Sequence, residues 1–62
     1  MRLTMFYVRG MHKREEFHSN IPAQEPVEAY AIFKEQNPHS VVCEIAALFQ
    51  FEHEEKSALV TQ

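Results

Sequence analysis

The sequence predicts an α+β fold: a single layer of three antiparallel strands in the order 2-1-3 (ββαβ), with one helix packed on one face. Three observations predict it. Residues 2 to 9 alternate with period 2, a helical-period stripe opens at Pro26 and stops at Asn37-Pro38, and a second alternating run covers Val41 to Phe51. A chain of 62 residues supports one domain at most, because halves of that size would each bury too little apolar surface. The domain is assigned to residues 1–56, and residues 57–62 are read as a disordered tail or a short edge strand.

In the first strand Leu3, Met5 and Tyr7 lie on one side and Arg2, Thr4, Phe6 and Val8 on the other. Both sides carry apolar residues, which suits a central strand. The cluster Gly10 to Arg14 then breaks the pattern. A weaker alternation follows, with Phe17, Ser19 and Ile21 set against Glu16, His18 and Asn20, and it ends at Pro22. A five-residue connection from Gly10 to Arg14 would pair Tyr7 with Phe17, Met5 with Ser19 and Leu3 with Ile21 on one face.

Pro26 suits the first turn of a helix because its missing N–H has no partner to lose there, and Glu25 and Glu28 suit the positive end of the helix dipole. Val27, Ala29, Tyr30 and Phe33 form the apolar stripe, and Ile32 falls among the polar residues. Proline after Asn37 pushes that residue out of helical geometry. From Val41 to Phe51 every odd position is apolar, and Val41, Val42 and Ile45 favour a strand. The same segment also places Val42, Ile45, Ala46 and Phe49 at i, i+3, i+4 and i+7, so a second helix stays open.

A right-handed crossover through the helix sets the last strand beside the first. The helix is then expected over Leu3, Met5, Tyr7, Phe17, Ile21 and the odd residues of the last strand, with Cys43 buried among them. The opposite face, with Phe6, Val8, Val42, Glu44, Ala46 and Leu48, is expected to be open. Soluble monomers rarely leave a contiguous apolar face bare, so these residues are the candidate partner-binding surface.

Charge is divided along the chain. Residues 1–14 carry Arg2, Arg9, Lys13 and Arg14 with no acid, a balance of +4, while residues 15–62 set Lys34 and Lys56 against nine glutamates, a balance of −7. Arg9, Lys13 and Arg14 in the expected hairpin loop are the candidate phosphate contacts of a small RNA- or DNA-binding module, with Phe6 as a stacking platform. A pI near 5.7 argues against a basic field across the domain, so nucleic acid is the less favoured partner. The acidic remainder offers another reading, in which Glu44, Glu52, Glu54 and Glu55 present a phosphate-like surface to a basic channel.

No metal or cofactor is expected. His12, His18, His39, His53 and Cys43 lack a ligand-like spacing, and every acid is glutamate, which removes an Asp-rich calcium loop. No catalytic residue is singled out, because Cys43 has no adjacent base and the glutamate pairs sit on expected turns. The chain is therefore read as a non-enzymatic interaction protein that regulates or inhibits a larger macromolecule. In size and style it resembles the small accessory proteins of phages and mobile elements, although no motif carries that likeness. A homodimeric structural protein is the remaining reading. With one cysteine, no targeting pattern and no apolar run of membrane-spanning length, a cytoplasmic protein without a membrane partner is expected.

Overall fold

The computed structural model describes residues 1–53, and the readings placed on Glu54, Glu55 and the 57–62 tail lie outside the described residues. The described chain runs β1 (Arg2–His12), β2 (Glu15–Ala23), α1 (Pro26–Gln36) and β3 (Val41–Glu52). The three strands form one antiparallel sheet in the order β2-β1-β3, with α1 on one side. Fold class, strand order and helix limits agree with the sequence reading. Val41 to Glu52 is a strand, which closes the helical alternative.

The hairpin differs from expectation, and the difference propagates through the sheet. β1 continues to His12, which opposes Glu15, and only Lys13 and Arg14 form the connection. Both have positive φ, 51° and 70°, which is the type I′ geometry that matches the twist of paired strands. Glycine or asparagine normally marks those positions, and here neither is present. The paired residue numbers consequently sum to 27, as in Phe6 with Ile21 and Gly10 with Phe17, rather than to 24. An odd shift turns every side chain of one strand to the other face. Phe6, Val8 and Gly10 therefore lie toward the helix, and Leu3, Met5 and Tyr7 lie away from it.

β3 carries two irregularities against β1. Gly10 opposes Val42 while Arg9 opposes Glu44, and Phe6 opposes Ala47 while Met5 opposes Phe49, leaving Cys43 and Leu48 as extra residues. Each bulge reverses the facing of the residues beyond it. Val42, Ile45 and Ala47 thus share the helix side with Gly10, Val8 and Phe6. Val41, Glu44, Ala46, Phe49 and Phe51 share the other side with Met11, Arg9, Tyr7, Met5 and Leu3. Cys43, expected in the core, is exposed at a bulge.

The core beneath α1 is small: Phe6, Val8, Ile21, Ala23, Ala29 and Phe33, with Phe17, Ile32, Val42 and Ile45 partly buried against it. Phe33 packs closely on Gly10, where an added Cβ would stand 2.8 Å from Phe33 Cε2 and 3.0 Å from the Val41 carbonyl oxygen. That close approach explains the one glycine in the sequence. The helix is rotated from its expected stripe, so Ile32 packs inward while Val27 and Tyr30 are exposed.

Local hydrogen bonds fix the helix ends. Glu28 Oε1 accepts from the Gln24 N–H at 2.7 Å, and this carboxylate reaching back over the first turn also suits the dipole. At the other end Asn37 donates to the Phe33 carbonyl through its backbone N–H at 2.8 Å and its side-chain amide at 3.3 Å. Lys34 Nζ donates to the carbonyls of Pro38 and Ser40 and so ties the last turn to the connection that leads into β3.

Candidate interaction surface

The face of the sheet away from α1 carries Leu3, Met5 and Tyr7 from β1 and Ala46, Phe49 and Phe51 from β3. Met5 opposes Phe49 and Leu3 opposes Phe51, and the Phe49 and Phe51 rings lie 6.1 Å apart. Phe49 is 55% exposed, which is high for a phenylalanine mid-strand. On the β2 side Tyr7 opposes Asn20 and lies 5.9 Å from the His18 ring. Nothing among the described residues covers this row, because the single helix is spent on the opposite face.

Toward the hairpin the same face becomes ionic. Arg9 sits on the central strand between Glu16 of β2 and Glu44 of β3; its Nη1 donates to Glu16 at 2.9 Å and its Nε to Glu44 at 3.3 Å. These two charged hydrogen bonds raise the Arg9 pKa above the ordinary arginine value, with the Glu16 bond first and the Glu44 bond second. On the helix side of the sheet, at the far ends of β1 and β3, Arg2 Nε approaches Glu52 at 3.7 Å and Arg2 Nη1 donates to Gln50 at 3.3 Å. The apolar row on the open face is thus bounded by charge at its hairpin end, where the Glu16–Arg9–Glu44 cluster lies.

The structure divides the six residues expected on an open face. Phe6 and Val8 are buried at 4% and 0% exposure beneath the helix, and Val42 packs against that same core. These three are corrected from surface to interior, because the two-residue turn shifts the β1–β2 register by an odd number and the bulges reverse β3. Glu44 and Ala46 do lie on the open face, and Leu48 is exposed at a bulge. The residues missed were Leu3, Met5, Tyr7, Phe49 and Phe51. Their alternation was visible in the sequence, but the side they face was not.

Arg9, Lys13 and Arg14 do not form one basic loop. Arg9 is held within the sheet by its two glutamates, and only Lys13 and Arg14 occupy the turn. Phe6, offered as a stacking platform, is in the core. His12 and His39 bring their rings within 5.8 Å, yet among the described residues no three metal-ligating side chains converge. An open groove of about 440 Å³ runs between the outer edge of β2 and α1, lined by Ser19, Asn20, Ile21, Pro22, Ile32 and Gln36. It presents no acid, histidine or cysteine for chemistry. Among the described residues no helix is long and apolar enough to cross a membrane.

Comparison with protein-family models, with curated proteins and with solved structures finds no match.

Proposed function

We propose that the protein acts by binding, as a small interaction module whose working surface is the open sheet face, and that its role is to regulate or inhibit a larger macromolecule by association rather than by chemistry. The observation that carries this reading is the row Leu3, Met5, Tyr7, Phe49 and Phe51 on a face with no covering layer among the described residues. Burying such a row is worth roughly 25 cal/mol per Å² of apolar surface removed from water, and contacts of this kind generally centre on aromatic residues. The exposed unpaired Cys43 suits a reducing compartment, so the cytoplasm is the proposed location.

Nucleic-acid binding is the weaker reading. It rests on Lys13 and Arg14 alone, since Arg9 already holds two carboxylates, and two phosphate contacts supply little affinity at physiological salt.

Affinity capture from the source cell, run in parallel with the wild type, the Met5→Lys/Phe49→Lys double variant and the Lys13→Gln/Arg14→Gln double variant, tests the proposal. The expected outcome is a protein captured by the wild type and by the turn variant but lost from the face variant. Equal capture by all three would refute the face as the working surface, and loss of a captured nucleic acid from the turn variant alone would favour the other reading.

A further inference from the structure

The outer edge of β2 is a second surface, independent of the open face, and its backbone defines what fits it. Lys13 and Arg14 form a two-residue turn, and in such a hairpin the pair beside the turn exchanges both main-chain hydrogen bonds. Counting from the His12–Glu15 pair, Phe17, Ser19 and Ile21 direct their N–H and C=O groups at β1, and Glu16, His18, Asn20 and Pro22 direct theirs outward. β2 ends the sheet, so among the described residues these outward groups have no strand to meet. Pro22, which has no N–H to offer, stands at an outward position, where it costs the β1 ladder nothing.

The other edge of the sheet is less suited to pairing. β3 is bulged at Cys43 and Leu48, and bulges disrupt a ladder and turn an edge away from a further strand. β2 keeps an unbroken register with β1 from Glu15 to Ala23. It also has a receptacle for side chains, because the groove of about 440 Å³ between this edge and α1 is lined by Ile21 and Ile32, with Ser19 and Gln36 among its polar members. A strand laid along β2 would turn every second side chain into that groove and set the others beside Glu16, His18 and Asn20.

Charge decides the kind of strand. Residues 15–36 hold five glutamates against one lysine, and Lys34 is already tied to the carbonyls of Pro38 and Ser40. Glu28 and Glu35 stand one turn to either side of Ile32 on the helix. Glu16 shares the Arg9 guanidinium with Glu44, two carboxylates to one cation, and a cation opposite Glu16 on an added strand would complete that balance. A second β2 would instead bring two more glutamates and no lysine or arginine.

We propose that the β2 edge and its groove bind an extended segment of another protein as a fourth, antiparallel strand in which basic and apolar residues alternate. The apolar side chains enter the groove over Ile21 and Ile32, and a basic one meets Glu16. The added strand lies alongside the open face rather than on it.

Fluorescence anisotropy with a labelled, end-capped hexapeptide of alternating lysine and valine tests this. Its comparisons are a glutamate–valine counterpart and two forms of the basic peptide, methylated on the backbone nitrogens of either lysine or valine. The wild type should bind the basic peptide and its valine-methylated form. It should bind the lysine-methylated form about tenfold more weakly, since the blocked nitrogens are those that face β2. On the protein, His18→Pro removes an outward N–H without touching the β1 ladder and should weaken binding by about tenfold. Met5→Gln/Phe49→Gln should leave it unchanged, so failure of this edge and failure of the open face as a binding surface are read separately. Should His18→Pro lose its fold, the methylated peptides on the wild type give the answer alone. Equal binding of the acidic peptide, indifference to lysine methylation, loss of binding in the open-face variant, or no binding at millimolar peptide would overturn the proposal. So would protection of the Glu16, His18 and Asn20 amides from hydrogen exchange that rises with protein concentration in the absence of peptide, because a second copy would then hold the edge.

Discussion

Beneath α1, Phe6 and Val8 are sealed to 4% and 0% exposure and Phe33 rests on the bare backbone of Gly10, whereas across the same sheet Phe49 stands 55% exposed beside Phe51. The two faces draw on the same strands and similar residue types. What separates them is a covering layer: 11 residues of helix close one face, and the chain has no second helix among its described residues to close the other. The covered face shows what this sheet does with its apolar side chains when it can, and the open face shows which of them no layer of the described chain covers.

Breaking the covered face has the largest expected effect. Phe33→Ala removes the ring that joins α1 to β1, at a cost of about 3–5 kcal/mol, comparable to the roughly 3–5 kcal/mol that a core this small supplies. Loss of the cooperative melt followed by far-UV circular dichroism is the expected result. Gly10→Ala probes the same contact more gently. Its Cβ would meet Phe33 and the Val41 carbonyl at 3.0 Å or less, an overpacking cost of about 1–3 kcal/mol, read as a lowered denaturation midpoint with an unchanged m-value. Gly10 has no positive φ, so the penalty is steric.

The hairpin turn sharpens the comparison because it decides which face is which. Lys13 and Arg14 occupy left-handed backbone that disfavours most side chains by about 1–2 kcal/mol per residue. Lys13→Asn with Arg14→Gly should raise stability by about 1 kcal/mol in urea titration. A destabilised double variant would contradict the two-residue turn and with it the assignment of the faces.

The smallest effect is expected at the ionic end of the open face. Arg9→Gln leaves Glu16 and Glu44 facing each other without their shared cation, and their exposure keeps the loss modest. The loss in melting temperature should be greatest in low salt and shrink as salt screens the two carboxylates. Because folding raises the Arg9 pKa, its contribution is complete below the unfolded arginine value and is lost only as pH climbs through the folded one. Titration of Arg9 itself therefore adds no slope to stability around neutral pH.

Much of the fold was legible in the sequence because it was written in strong local signals. Pro26 and Asn37-Pro38 bound the helix within a residue, and alternation marked β1 and β3. The facing of β1 was illegible for an equally local reason. Lys13 and Arg14 are not residues that announce a type I′ turn, so the connection read as five residues instead of two, and the pairing sum moved by an odd number. On β3 the bulges at Cys43 and Leu48 reversed the alternation twice, and neither position carries the glycine that often signals one. A surface bearing apolar side chains was thus foreseeable, while its membership depended on tertiary pairing. Glu44 and Ala46 were placed correctly; Phe6, Val8 and Val42 exchanged places with Leu3, Met5, Tyr7, Phe49 and Phe51.

The facing of the two sides of the sheet, on which the whole account rests, can be read directly from nuclear Overhauser contacts in the purified protein. Cross-peaks should run from the Met5 methyl group to the Phe49 ring and from the Leu3 methyl groups to the Phe51 ring on one side, and from the Val8 methyl groups to the Phe33 ring on the other. Cross-peaks from Leu3 or Met5 to the Phe33 ring would contradict that facing.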